Sequence, residues 1–331
     1  MTPPVPAEWS PHRFVWLGFP SHAELWAENL AAAQGEVATL ALALAGPGGE
    51  RVRLMVCGAE AADAAGALMA GAANIEIVAG EFGDIWLRDT GPIFTSGDAA
   101  AGFAFNGWGG KYQLAGDERV ADQLAARSGA ALARHDFVLE GGALDHDGAG
   151  TALATRQCLL NPNRNLGWDE ATAERALRQA LGVRGVIWLD DGVANDHTDG
   201  HVDNLARFVA PGVVACPAAF GADDPNAAIY DAAARRLSGA RDADGQRVTM
   251  ARIPSPGRIA DGEGRALPAS HMNFLIANRA VVAPIYEDRA GALAMEALEM
   301  LFPGREVIGL PSAALLTGGG SFHCISQQAP A

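Results

Sequence analysis

The chain has 331 residues, with 24 basic side chains against 39 acidic ones and a formal net charge of −15. Hydrophobic residues make up 49% and charged residues 19%, a balance typical of a chain that buries a core and atypical of a disordered one. The negative charge excludes ordinary nucleic-acid binding, because phosphates would be repelled, and it favours a small cationic ligand.

Local sequence patterns exclude further classes of protein. No stretch approaches the ~20 uninterrupted apolar residues of a membrane helix, and the start of the chain lacks the basic and apolar regions of a secretory signal. The cysteines at positions 57, 158, 216 and 324 are far apart and form no CxxC pair, so no zinc or redox motif is predicted. We therefore expect a cytoplasmic enzyme without membrane contact.

Five similar segments follow one another along the chain, each consisting of a short apolar strand, a helix-like stretch and a second apolar strand. The helix predicted over 169–181 is typical, with strong helix formers, an acidic first turn and Gly182 just past its end. The predicted elements are 14–20, 23–44 and 52–57; 92–94 with 102–105, 117–127 and 137–139; 158–162, 169–181 and 186–189; 213–217, 225–237 and 248–253; and 280–284, 289–301 and 306–310.

A single such module would leave an apolar face uncovered, whereas five modules arranged in a ring cover one another. The repeat therefore predicts an α/β fold in which residues 1–331 form one propeller-like domain with a single central site. An ordinary α/β sandwich is the alternative.

Four polar clusters follow the second strands of modules, where the loops of a ring would converge. Within the last cluster, Cys324 comes soon after three glycines that let the backbone approach a ligand closely. Its alternative role is that of a small buried apolar residue, which is also the role predicted for the other three cysteines. His323 is a poor partner for Cys324, because adjacent side chains on a strand point to opposite faces. The clusters are 86–92, 140–142, 196–204 and 317–324.

On a strand, His201 and Asp203 would face the same side, and histidine is the usual proton shuttle near neutral pH. Two alternatives stay open for this segment. His197, His201 and Asp203 could ligate a metal ion, although Gly200 and the neighbouring turn oppose the helix that such spacing needs. The segment could also be a solvated acidic loop.

Two further carboxylates lie in these clusters. Asp89 either binds a ligand or serves as a turn residue and partner of Arg88. Glu140 lies between an apolar strand and two glycines, where it needs a partner, either a histidine or the cation of a structural ion pair. Two carboxylates, a thiol and a histidine suit attack on a planar guanidinium, whose N–H groups carboxylates bind in pairs.

These residues stand in motifs that resemble the agmatine deiminase family of the guanidino-group-modifying (pentein) superfamily, to which bacterial peptidylarginine deiminase is related. The resemblance spans nearly the whole chain. Its motifs are Pro6–Trp9, Trp86–Pro92, Asn106–Tyr112, Glu140–Gly142, Cys158–Asn165, Thr198–Asn204 and Gly318–Gln328.

The resemblance implies a five-bladed α/β propeller with pseudo-fivefold repeats and the hydrolysis of agmatine to N-carbamoylputrescine and ammonia through a covalent cysteine adduct. It implies no metal or organic cofactor, and a homodimer. The roles that it implies are those of nucleophile for Cys324, general acid and base for His201, orientation of that histidine for Glu140, guanidinium binding for Asp89 and Asp203, and packing beside the substrate for Trp86.

The sequence departs from the family pattern where the tail of the substrate would be recognised. Asp196 is the remaining candidate for contact with a distal ammonium group. The alternative functions are deimination of arginine, peptidyl arginine or another alkylguanidine, metal-dependent hydrolysis, and guanidine binding without catalysis. The departures fall at His197, Phe220, Asn226 and His271.

Overall fold

The computed structural model describes residues 2–331, which form an α/β fold built from five small sheets. The strands are, in chain order, β1 (His12–Gly18), β2 (Val52–Val56), β3 (Ile75–Ala79), β4 (Ile93–Phe94), β5 (Ala99–Ala104), β6 (Ala131–Val138), β7 (Asp145–His146), β8 (Thr151–Thr155), β9 (Gly185–Leu189), β10 (Arg207–Ala210), β11 (Val213–Ala218), β12 (Thr249–Pro254), β13 (Leu275–Ile276), β14 (Ala280–Ile285), β15 (Glu306–Pro311) and β16 (Ser326–Pro330).

Helices connect these strands. The α-helices are α1 (Ala23–Trp26), α2 (Leu30–Ala45), α3 (Ala59–Leu68), α4 (Leu87–Thr90), α5 (Gly107–Gly110), α6 (Val120–Ser128), α7 (Arg156–Leu159), α8 (Glu170–Leu181), α9 (Ala227–Ser238), α10 (Asp288–Leu301) and α11 (Ala313–Thr317). Single turns of 3-10 helix cover Ala27–Asn29, Asp117–Arg119, Gly141–Ala143 and Val202–Asn204. Within residues 2–331, no helix combines the length and the apolar character needed to cross a membrane.

The same sheet topology recurs in all five sheets. In four of them a short strand pairs antiparallel with a central strand, and a helix then leads to a third strand parallel to the central one. The remaining sheet has the order β16-β1-β2-β3, in which β16 takes the place of the short antiparallel strand. The predicted α/β class and the five strand–helix–strand modules agree with this arrangement.

The central strands read as apolar runs because they are covered on both faces. All five residues of β8 are buried, as are five of the six residues of β14, as expected for strands with helices or neighbouring modules on either side. The helix predicted over 169–181 is α8, whose first turn is capped by Asp169 and whose last residue is followed by Gly182 in the left-handed conformation, at φ 67°.

In the third module, one strand was predicted at the wrong residues. The apolar run that begins at Cys158 was predicted to be a strand, but the central strand is β8, and Cys158 lies on the short helix α7. Thr155 ends the strand and begins this helix, because its hydroxyl accepts a hydrogen bond from the Cys158 backbone N–H at 3.3 Å. Cys158 is thereby moved out of a sheet and toward the 196–204 loop.

Thr155 also joins the third module to that loop, since its hydroxyl donates to the carbonyl of Gly200 at 2.6 Å. Replacing Thr155 with valine keeps the shape and removes both bonds. We expect Thr155→Val to lower the free energy of unfolding by about 1–3 kcal/mol, because two buried backbone groups lose their partner. Urea denaturation measures this.

The matched control is Thr39→Val on α2, where an exposed hydroxyl bonds only the Gly35 carbonyl of the preceding turn. Its effect should stay within about 0.5 kcal/mol. Equal effects of the two substitutions would contradict the structural role given to Thr155.

Candidate active site

Cys324 lies at the floor of a pocket of about 370 Å³, after helix α11 and three glycines. The thiol is almost fully buried, with the residue 7% exposed. The side-chain amide of Asn273 donates to Sγ at 3.1 Å, while its carbonyl oxygen accepts from the backbone N–H groups of His323 and Cys324 at 2.8 and 3.3 Å. Asn273 therefore fixes both the backbone and the side chain at this position.

Asp203 lies beside the thiol, on the 3-10 turn Val202–Asn204, and is fully buried. Its Oδ2 is 3.9 Å from the Cys324 sulfur and accepts from His323 Nδ1 at 2.8 Å. Its Oδ1 has no hydrogen-bond partner within residues 2–331. One buried carboxylate oxygen is thus without a partner in this part of the chain, although Asp203, like His201, is not among the residues that line the pocket.

Asp89 is held by the turn of helix α4 and by two donors. Oδ1 accepts from the backbone N–H of Gly142 at 3.0 Å, and Oδ2 accepts from Trp108 Nε1 at 2.9 Å. Arg88 turns the other way, toward the His323 carbonyl and the Ser326 hydroxyl. The alternative in which Asp89 serves as the partner of Arg88 is therefore wrong.

His201 is 1% exposed, and its Nδ1 is 3.7 Å from Asp89 Oδ1. Neither ring nitrogen has a hydrogen-bond partner in the described part of the chain. Its nitrogen, the Cys158 thiol and a Glu140 oxygen all lie within 4.8 Å of one another. Cys158 is therefore a neighbour of the histidine, although the sequence analysis predicted for it the same buried apolar role as for Cys57 and Cys216.

Glu140 is paired with Arg164, whose Nε donates to Oε1 at 2.7 Å. The same guanidinium bonds Asp199 and donates to the Thr198 carbonyl at 2.8 Å. The structural ion pair predicted as an alternative for Glu140 is thus present, and it ties Glu140 to the loop that carries His201. Arg164 was not singled out from the sequence, because its partners are distant along the chain.

Burial and neighbouring charges shift the pKa values of Cys324, Asp89 and His201. Burial raises the pKa of the Cys324 thiol well above its ordinary value, and the charges of Asp203 and Asp89 raise it further. Burial also raises the pKa of Asp89, which the nearby His201 only partly offsets. Burial lowers the pKa of His201, but the charge of Asp89 and contact with Cys158 outweigh this and raise it overall. The pocket floor would therefore be stabilised by an added cation.

Aromatic side chains form the walls of the pocket. Trp86 and Trp26 lie with ring centroids 6.1 Å apart, and each donates its indole N–H to Asp84, at 2.8 and 3.0 Å. A Cβ at Gly320 would come within 2.5 Å of the Trp86 ring. The glycine-rich loop can therefore pack this closely against Trp86 only because residue 320 has no side chain. Trp86 thus lines the pocket, and its packing beside a substrate stays a prediction.

The residues expected to recognise a substrate tail are placed differently. Asp196 is not among the residues that line the pocket; it accepts bonds from the Thr198 N–H and hydroxyl at 2.8 and 2.6 Å and shapes the loop. His197 does line the pocket and bonds Tyr112 Oη at 3.1 Å. Phe220, Asn226 and His271 lie outside the lining, so these departures from the family pattern do not alter the pocket surface.

The predicted metal-ligand set of His197, His201 and Asp203 is not the one that the fold brings together, because His197 belongs to the pocket wall. Among residues 2–331, the potential ligands that converge are Glu140, Cys158 and His201. Glu140 in that group is already paired with Arg164.

Comparison with known proteins gives this arrangement a family. The model of the Porphyromonas-type peptidyl-arginine deiminases matches residues 4–330. The chain belongs to this family. The agmatine deiminase of Pseudomonas aeruginosa strain LESB58 is 38% identical, over 99% of this chain and 95% of that protein. The agmatine deiminase of Stutzerimonas stutzeri is 36% identical over the same shares.

Solved structures agree. An Enterococcus faecalis agmatine deiminase described as catalysing its reaction has a TM-score of 0.92 and 29% identity, over 99% of this chain and 95% of that one. A C. jejuni agmatine deiminase with substrate bound, in a cysteine-to-serine variant, has a TM-score of 0.88 and 27% identity, over 98% and 95% of the two chains. The family predicted from the sequence motifs is confirmed.

Gly142 gives this family member a sensitive point at which to test the site. A Cβ there would lie 2.5 Å from His201 Nδ1, 2.9 Å from Asp89 Oδ1 and 3.1 Å from Asp203 Oδ2. We expect Gly142→Ala to lower kcat/KM by about 10²-fold, because displacing reactive groups by about 1 Å has effects of that size. Steady-state ammonia release measures it.

Gly35→Ala is the control, since Gly35 lies on α2 and nothing is within 4 Å of an added Cβ. It should retain full activity. A Gly142→Ala enzyme with wild-type kinetics would show that these three side chains do not act together.

Proposed function

We propose that this chain is an agmatine deiminase, which hydrolyses agmatine to N-carbamoylputrescine and ammonia. The observation that carries the proposal is the convergence of Asp89, Asp203 and His201 on one point beside the Cys324 thiol. Two carboxylates and a thiol buried without a cation between them suit a planar cation with an electrophilic carbon. The names of the relatives, which are agmatine deiminases at 36–38% identity, support the same reaction.

In the proposed reaction, Asp203 and Asp89 bind the guanidinium, and its charge offsets the two carboxylates that raise the pKa of Cys324. The thiol then loses its proton to solvent, and the thiolate attacks the guanidinium carbon. His201, which its raised pKa keeps protonated, gives a proton to one nitrogen, and ammonia leaves as the C–N bond breaks. This leaves an amidino-thioether on the enzyme.

The second half of the reaction releases the product. His201 takes a proton from water, which attacks the same carbon, and the C–S bond breaks to give the ureido product and the free thiolate. Glu140, held by Arg164, keeps the histidine loop in position throughout.

The pocket favours agmatine over free arginine. Its lining includes Glu28, Asp84 and Asp89 but neither a lysine nor an arginine within the described residues, so a distal ammonium group is attracted and an α-carboxylate is not. Asp84 is occupied by three donors, from Trp26, Trp86 and the Ile85 backbone. Glu28 is the carboxylate left to meet a cationic tail.

We also propose that the five sheets close into a five-bladed propeller and that residues 2–331 act as one catalytic domain. The recurrent topology and the β16–β1 pairing that joins the last strand to the first support this closure. The homodimer and the cytoplasmic location implied by the sequence stay predictions.

The nucleophile is tested by Cys324→Ser. Serine is far less acidic than a thiol, so turnover of agmatine should fall by at least ~10³-fold while binding persists. Mass spectrometry of the wild type quenched during turnover should detect the amidino adduct, and none should form on the variant.

Cys216→Ser is the matched control, because Cys216 is also buried but lies on β11 in an apolar core cluster, where its thiol hydrogen-bonds the Pro217 carbonyl. It should keep its specific activity. If Cys324→Ser retained a tenth of the wild-type rate, the covalent mechanism would be wrong.

Tail recognition is tested with Glu28→Gln. We expect KM for agmatine to rise roughly 2–5-fold, as is usual for an exposed ion pair, and kcat to change little. KM for a guanidine with a neutral alkyl tail should not change.

Glu24→Gln, on the neighbouring helix α1 but outside the pocket lining, is the matched control. Arginine should be a poor substrate for the wild type. If the enzyme turned over arginine as fast as agmatine, the proposal that agmatine is the preferred substrate would be wrong.

A further inference from the structure

The imidazole of His323 lies between two carboxylates. Its Nδ1 is 2.8 Å from Asp203 Oδ2, and its Nε2 is 3.3 Å from Glu8 Oε2. The side chain is only 3% exposed, so water cannot replace either partner. A neutral imidazole has one N–H donor and one lone pair, whereas ionised carboxylates only accept. A neutral ring would therefore place its lone pair against one carboxylate oxygen. A doubly protonated ring can donate a hydrogen bond to both carboxylates.

The surrounding charges are consistent with a cation at this position. Arg207 bonds Glu8 from the other side and is also paired with Asp145. Burial raises the pKa of Glu8, but Arg207 and His323 outweigh it, and the pKa lies far below the ordinary value, so Glu8 stays ionised. His323 thus meets two carboxylates, one of them shared with Arg207.

Burial raises the pKa of Asp203, but contact with His323 and the charges of His201 and Arg207 lower it overall. Among residues 2–331, only His323 is in salt-bridge contact with Asp203. Arg88 donates Nε to the His323 carbonyl at 3.4 Å. A small cavity of about 30 Å³ on the Glu8 side is lined by Arg88, Asp145 and His146 together with His323. Burial lowers the pKa of His146, so that histidine is neutral.

The contact with His323 fixes which oxygen of the Asp203 carboxylate is already hydrogen-bonded and which is not. Oδ2 is held by the histidine, and Oδ1 is the oxygen without a partner. We propose that His323 is an imidazolium that acts as a positioning residue, donating to both carboxylates, holding Oδ2 of Asp203 in place and leaving Oδ1 free for the guanidinium. This inference rests on the proposed role of Asp203 in binding substrate.

Nuclear magnetic resonance tests the charge directly, without reference to activity. In wild-type enzyme labelled with ¹⁵N-histidine, the His323 ring signals are those lost in His323→Gln. At pH 7.5, both nitrogens should show the chemical shifts of protonated, donor nitrogens. One protonated and one bare nitrogen would overturn the proposal, whatever the kinetics.

Kinetics test the consequence for Asp203. Glutamine at position 323 can donate one neutral bond but carries no charge, so kcat/KM of His323→Gln should fall at least tenfold. Because His323 contributes to the lowered pKa of Asp203, the acidic limb of its kcat/KM profile should move to higher pH. A merely structural histidine would not move that limb.

His12→Gln is the matched control. His12 is also buried and bonds one carboxylate, Glu50, at 3.0 Å, but lies on β1 outside the pocket lining. It should keep the wild-type pH profile. A folded His323→Gln enzyme with an unmoved acidic limb would overturn the positioning role, and if that variant does not fold, the wild-type spectrum decides.

A different result would contradict the proposed role of Asp203 without contradicting the charge on His323. If Asp203→Asn had wild-type kinetics while both His323 nitrogens were protonated, the imidazolium would stand and the guanidinium role of Asp203 would not.

Discussion

The site depends on keeping carboxylates ionised in a place that water hardly reaches. Asp89 and Asp203 are 5% and 0% exposed, and burial alone would favour their neutral forms. The protein supplies donors that offset this cost in part for Asp89, through a backbone N–H and an indole N–H, and in full for Asp203, which is paired with an imidazole. Each carboxylate is therefore anchored through protein groups and still faces a common point. A cation that enters there completes the charge balance, which gives a physical basis for selectivity toward guanidines.

The N-terminal segment takes part in this balance although it contributes nothing to the pocket surface. Glu8 accepts from Arg207, His323 and the backbone N–H of Ile276. It thereby links the strand β10, the loop that carries Cys324 and the strand β13. Asp203 is connected to this chain of buried charges through His323, so groups remote from the pocket influence a carboxylate that is proposed to bind the substrate.

The sequence predicted those features that are encoded locally. The paired parallel strands and their helices were recognisable because apolar runs alternate with stretches such as 169–181, which carry their own start and stop residues. The strand β3 was missed because it lies at a sheet edge and none of its residues is buried, and β7 and β13 were missed because they are only two residues long. Such strands exist because a neighbour pairs with them, which no local pattern records.

The same distinction holds for the site. Cys324, His201, Asp89, Asp203 and Glu140 could be singled out because each stands in a short polar cluster after a strand. Their partners Arg164, Asn273 and Trp108 could not, since what defines them is contact across modules. His323 illustrates the limit. The prediction that its side chain and that of Cys324 point apart assumed a strand, whereas residues 322–325 form a turn in which both side chains approach Asp203 Oδ2, at 2.8 and 3.9 Å. Only the fold revealed the carboxylates on either side of His323.

The pairing of β16 with β1 has a consequence for the order in which the molecule forms. This ladder joins Leu17 to Ser326, two residues after Cys324, so the thiol is anchored by a contact between segments very far apart in sequence. Contacts of such long range carry the largest loop-closure entropy and tend to form late. The other four sheets can assemble from nearer neighbours beforehand. Cys324, the proposed nucleophile, is then held in its final place only when this ladder forms, so that a partly folded chain lacks a complete site.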